Sequence, residues 1–261
     1  MPRAATLRSL ARPPWWILFA MAGGGLVLSA YGAVTGAVPA FCSSVASSQI
    51  SALGEADVLL LAVALNPPGR IMGGWAAMLL AMMPPLLAAP LMHVWRSSLP
   101  RRRAASVTLF LLGYGMVWMA VGPLLITLAI ALQVAGRGSL WVFGATILVA
   151  LLWSACPGQR AALNRSHRLP RIGLFGWTAL RDCVRFGVIH ALWCVASCWP
   201  WMLAAAVAEN SHLAFMVAAG AIMFGERLAP PEPPRWRWPV LILALDPRPA
   251  LAPLRGLLRH G

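Results

Sequence analysis

Long apolar runs broken by short arginine-bearing segments organise this chain. Six runs have the length and apolar character of membrane-crossing helices: residues 15–38, 71–95, 104–133, 140–156, 186–208 and 212–226. A hydrocarbon core about 30 Å thick needs roughly 20 apolar residues at a rise of about 1.5 Å each. The first run follows three arginines, as a secretory signal would, but at about 24 residues it is long enough to span and reads as a retained helix. Two further apolar stretches, 58–65 and 238–246, are stopped by Asn66-Pro67-Pro68-Gly69 and Asp246-Pro247-Arg248-Pro249. Such short stretches read as interfacial or re-entrant pieces. The pattern therefore predicts an all-α polytopic membrane helix bundle forming a single domain over 1–261. It has six transmembrane helices, or seven if 238–246 crosses.

Composition supports this class. The chain is 60% hydrophobic and only 11% charged, against roughly 25% charged in soluble domains. Its formal charge of +14 comes entirely from arginine, since lysine is absent. In a soluble protein that excess would point to nucleic acid. Here the arginines fall between apolar runs, so anionic lipid headgroups are the expected partner and nucleic acid is not. With the N-terminus inside, only Arg70 and Arg137 fall in outer loops, whereas sixteen arginines fall in the inner loops and tails. The positive-inside rule then places both termini in the cytoplasm of a bacterial cell, with the bundle in its inner membrane. A crossing by 238–246 would move Arg248, Arg255 and Arg259 outside, against that rule.

The fifth run carries the chemistry. His190, Cys194, Cys198 and Met202 recur every four residues in an otherwise apolar stretch. Each step of four advances a helix by roughly 40°, so the four side chains share one face. Cys183 extends the same stripe inward. Imidazole, thiolate and thioether are donors that soft metals, Cu(I) above all, prefer. A thiolate in hydrocarbon is costly unless a cation neutralises it, and a bound metal supplies that charge. The competing reading is packing, because Cys and Met are also ordinary apolar fillers. Pro200 removes one helical hydrogen bond and frees the carbonyl of Ala196. Cross-helix partners are expected from Met78 and Met82 of the second run and from His212 and Met216 of the sixth. The candidate metal set is thus Cys194, Cys198, His190, Met202, Met78, Met82, His212 and Met216, with copper as the metal.

Several segments resemble a bacterial family of metal-binding integral membrane proteins of uncharacterised function, some labelled copper chaperone. Gly74-Trp75-Ala76-Ala77-Met78-Leu79-Leu80-Ala81-Met82-Met83-Pro84 is similar to its Trp-x-x-Met-x-x-Ala-Met-Met-x-Pro segment. Gly113-Tyr114 with Trp118, and the loop from Gln159 through Asn164 and His167 to Pro170, resemble its next elements. Arg185-Phe186-Gly187 followed by Trp193-Cys194, Cys198-Trp199 and Met202 is the most specific match, completed by His212, Met216 and Glu226. The resemblance runs from about residue 70 to 230. Ser166 and Ser197 depart from it, standing where relatives carry further cysteines. The resemblance implies a membrane-embedded metal site.

Other chemistries find little support. There is no phosphate-cradling glycine loop ending in lysine and no H-E-x-x-H zinc motif. Cys194 and Cys198 have three residues between them, not the two of a redox pair. Glu55 and Asp57 read as solvated loop charges, and Cys42 implies no disulfide. An enzyme is therefore not the favoured class. The leading expectation is a protein that holds copper and passes it to a membrane acceptor. The alternatives are a solute or metal transporter using the same stripe, and a non-catalytic subunit packing against partner helices.

Overall fold

The computed structural model describes residues 15–35, 68–136, 140–173, 175–208, 212–229, 231 and 233–236. The short stretches 58–65 and 238–246, the turn at 209–211, Cys42, Glu55 and Asp57 lie outside the described residues. What is described is all-α, with no strand. Eight α-helices follow one another: α1 (Trp15–Thr35), α2 (Pro68–Met82), α3 (Ala88–Ser97), α4 (Arg103–Ala135), α5 (Leu140–Ala155), α6 (Pro157–Ser166), α7 (Gly176–Val207) and α8 (His212–Leu228).

Among the described residues, three stretches are long and apolar enough to cross a membrane unaided: Trp15–Gly32, Pro100–Ala135 and Gly176–Val207. The second sequence run is two helices, since Pro84 and Pro85 each lack an N–H and cannot continue the ladder of α2. A 3-10 turn, Pro84–Leu87, joins α2 to α3 with a bend of 58°. A second bend, of 67°, separates α5 from α6. Counting each bent pair as one span gives up to five. At 17 residues, α8 is about 26 Å long, just under the hydrocarbon thickness.

α7 is the central helix. Of its apolar stretch 61% is buried, against 28% for those of α1 and α4. Every residue from Pro200 to Ala208 is buried. It runs parallel to α4: Cys183 lies against Ser106, Tyr114 against Cys194, and Gln133 Nε2 donates to the Val207 carbonyl at 2.8 Å. The two backbones cross closely because neither side carries a Cβ at the crossing. A methyl group on Gly113 would meet the carbonyl oxygen of Val184, and one on Gly187 would meet that of Phe110. Small residues at such a crossing are how membrane helices gain packing without a hydrophobic driving force.

α1 and α8 meet through Trp15 and Phe19, whose rings stand edge-on to Phe224 at 5.8 and 5.7 Å. α2 is tied to α4 by the Trp75 indole, which donates to the Trp118 carbonyl at 2.9 Å.

Two boundaries differ from the sequence expectation. Residues 157–166 read as a solvated inner loop but form α6, which folds back onto α7 and α8. Cys156 caps it, its sulfur accepting from the Gly158 N–H at 3.4 Å, and Pro157 starts it. Gln159, Arg160 and Ser166 are buried because α8 supplies polar partners for this helix, and Arg165 stacks on Trp193 of α7 at 4.6 Å. α7 begins at Gly176, ten residues before the apolar run. Arg181 and Arg185 fit on that extension because both stay exposed, while Asp182 accepts from the Gly173 N–H at 3.0 Å.

Candidate metal centre

The stripe on α7 is buried along its whole length: Cys183, His190, Cys194, Cys198 and Met202 are each at most 3% exposed. Cys194 and Cys198 are one turn apart, and their sulfurs lie 3.7 Å from each other. Tyr114 of α4 donates its hydroxyl to the Cys194 sulfur at 3.3 Å. The Cys198 thiol donates to the Cys194 carbonyl at 2.6 Å, and Ser197 donates to that same carbonyl at 2.9 Å. Both cysteines, like Cys183 and Cys156, are free thiols.

His190 lies one turn inward, in an aromatic box of Phe186, Phe110 and Tyr114, with ring centroids 5.8, 6.0 and 6.2 Å away. Its Nε2 is buried and has no hydrogen-bond partner among the described residues. A buried nitrogen without a partner forfeits its solvation, so a cation or donor arriving there would recover it.

Met78 and Met82 of α2, Met202 of α7 and Met216 of α8 share one buried cluster with the two cysteines, together with Met223, which lay outside the expected set. Among the described residues no three His, Cys, Asp or Glu side chains converge on one point. Beyond the two cysteines, what surrounds them is mainly thioether and aromatic. His212 is set apart. Its Nδ1–H donates to the Ala205 carbonyl at 2.7 Å, and Ala205 lies about 16 Å along α7 from Cys194.

The carbonyl freed by Pro200 has found a donor. Trp153 of α5 gives its indole N–H to Ala196 at 3.0 Å. One turn outward, Trp201 donates to Ser154 at 3.0 Å.

A second buried polar group adjoins the inner side of the centre. Gln159 Nε2 donates to Glu226 Oε2 at 2.7 Å, and Arg160 lies close enough for its charge to act on the same carboxyl. Arg227, next along α8, donates through Nη1 to Ser166, and its backbone carbonyl meets His167 Nε2 at 3.1 Å. Its charge reaches Cys194, Cys198, Tyr114 and His190. Sequence reasoning counted Arg227 among the inner-loop charges. Its only signal there was its place directly after Glu226 at the end of an apolar run.

A family model described as a copper chaperone (PpoB2) matches residues 72–246. Neither the curated proteins nor the solved structures contain a match.

Proposed function

Because the chain belongs to the PpoB2 copper-chaperone family, we propose that it carries Cu(I) as cargo between the thiols of Cys194 and Cys198 and yields it to a membrane-protein acceptor. The observation that carries this reading is the pair of buried sulfurs 3.7 Å apart in a thioether-rich cluster. At a metal–thiolate distance of about 2.3 Å, sulfurs so placed subtend roughly 107° at a shared ion. That angle leaves one side of the ion open to a third donor. His190 and Met202 are the nearest same-face additions, and Met78, Met82 and Met216 are the cross-helix ones. Zinc wants four donors from cysteine, histidine or carboxylate, whereas thiolate with thioether suits Cu(I). Loading by two thiols releases two protons, because the thiolate is the ligand.

The cargo sits in a bundle that we place in the bacterial inner membrane as six spans with cytoplasmic ends. The arginine distribution supports that orientation, with the bent α2–α3 pair serving as one span and α5 as another. The double change Cys194→Ser with Cys198→Ser tests the site. Protein purified from copper-supplied cells should lose its copper while inserting normally. Wild-type copper stoichiometry in that variant would overturn the assignment.

A further inference from the structure

A cavity of about 700 Å³ lies between α1, α2, α3 and α4, within the roughly 300–1,000 Å³ of ligand sites. Leu18, Leu80, Trp95, Leu111 and Met119 are among its walls, and no charged side chain lines it. Tyr114, also in the wall, gives its hydroxyl to the Cys194 sulfur. A charged or strongly polar solute would find little there to replace its water, whereas a hydrocarbon chain needs no such partner. Trp95 and Leu111 are also exposed, so the cavity is open to its surroundings. Along α4 the wall runs from Val107 to Met119. That is about 18 Å of helix, a little more than half of a hydrocarbon core about 30 Å thick. The depth is that of one leaflet.

At one end the cavity meets charge. The Arg103 guanidinium stands over the Trp95 ring, 5.4 Å from its centroid. Arg103 Nε is buried and has no hydrogen-bond partner among the described residues. Arg96, Arg101 and Arg102 are near it in the chain and exposed. Guanidinium groups so concentrated repel one another unless an anion answers them. Among the described residues the carboxylates are Asp182 and Glu226, and these accept from Gly173 and Gln159. No side chain caps the N-terminus of α4, which begins at Arg103, so the helix end adds to the attraction for an anion. Phosphate oxygens match the forked donors of guanidinium. Apolar for one leaflet's depth and cationic at one end, the site has the division of an anionic phospholipid.

We propose that this cavity holds an acyl chain of one anionic phospholipid, whose phosphate is bound by Arg101, Arg102 and Arg103. The inference rests on the inner-membrane placement and not on the copper site. In that placement the arginine-bearing end is cytoplasmic, where anionic lipids give the leaflet a negative surface potential.

The full-length protein, purified in detergent, is titrated with phosphatidylglycerol or with phosphatidylcholine of the same acyl chains, and bound lipid is counted by native mass spectrometry. Phosphatidylglycerol should bind at least tenfold more tightly. Arg101→Gln, Arg102→Gln and Arg103→Gln together should bring the two lipids within threefold of each other. Should that variant fail to insert, Arg101→Gln with Arg102→Gln changes exposed positions alone and should narrow the same ratio. Gly115 lines the cavity, and a methyl placed there meets no atom within 4 Å. Gly115→Phe therefore occupies the space and should weaken phosphatidylglycerol binding at least tenfold with every arginine intact. Equal affinity of the wild type for the two lipids would overturn the inference, as would a preference kept by the glutamine variants. So would unchanged binding by Gly115→Phe, which would mean that surface charge alone attracts the headgroup. Binding in detergent does not depend on which way the bundle faces, so a wrong orientation and a wrong lipid site fail separately.

Discussion

The indole N–H of Trp153 donates to the carbonyl of Ala196 at 3.0 Å, and that carbonyl lacks its helical partner because Pro200 has no N–H. A proline break inside the central helix is thus mended from α5, two residues from Cys198. Trp153→Phe should leave an unmet carbonyl and lower stability by about 1–3 kcal/mol. In a Pro200→Ala background the helix can bond Ala196 itself, so the same Trp153→Phe change should cost less. Unfolding midpoints in detergent for the four proteins give the coupling, and equal costs in both backgrounds would show that the bond is unimportant.

The α4–α7 crossing is set by glycine. Gly187→Ala drives a methyl into the Phe110 carbonyl, so a loss of about 1–3 kcal/mol is expected despite alanine's better helix propensity. Gly115→Ala is the control. No atom lies within 4 Å of a methyl placed there, and it should be neutral or gain up to about 1 kcal/mol. Thermal stability of the two variants should move in opposite directions.

The Gln159–Glu226 bond predicts a dependence on charge. Gln159→Leu removes the donor at 2.7 Å and leaves the buried carboxyl to Ser154 and Arg160. The cost should be about 1–3 kcal/mol or more when residue 226 is Glu, and smaller in a Glu226→Gln background, where the stranded group is neutral. Denaturation of the four combinations checks the ordering.

Histidine positions should separate in copper binding. His212→Ala removes a side chain bonded to Ala205, about 16 Å along α7 from Cys194. It should leave copper stoichiometry unchanged. His190→Ala removes a nitrogen that is buried and, among the described residues, unpartnered, one turn from Cys194, and should weaken retention. Metal analysis of the purified variants decides, and the reverse order would relocate the centre toward the outer end of α7.

Reporter fusions test the orientation. An outside-active reporter should work at Gly138, and an inside-active one at Gly261. Activity of the opposite kind at either position would overturn the six-span arrangement.

The parts of this picture that depend on local pattern could be read from the chain. Apolar run length marked out the long helices, and the four-residue recurrence placed His190, Cys194, Cys198 and Met202 on one face. Even the freed carbonyl of Ala196 followed from Pro200. Its donor did not, because Trp153 lies 43 residues away and nothing in its own run marks it. α6 was missed for a similar reason. A segment holding Gln159, Arg160, Asn164 and Arg165 looks solvated until Glu226 and Ser166's partner Arg227 arrive from α8. The start of α7 was missed because Arg181, Asp182 and Arg185 resemble loop residues, although a helix projecting past an apolar layer carries charges on its exposed face at little cost. Tyr114 was named only through the resemblance of Gly113-Tyr114 with Trp118, and its sulfur acceptor is 80 residues on.

That last separation bears on when the proposed site is completed in each new molecule. α4 and α7 lie side by side and parallel, with α5 and α6 threaded between them in the chain. Translation at about 5–20 residues per second means that Tyr114 precedes Cys194 by roughly 4–16 s. During that interval the growing chain carries Met78 and Met82 but not the Cys194–Cys198 pair, so the proposed copper site is incomplete. The cysteine pair then enters beside Tyr114, and Met216 of α8 follows to complete the cluster. Ribosome-arrested chains ending before α7 should therefore lack the copper that the Cys194–Cys198 pair is proposed to hold.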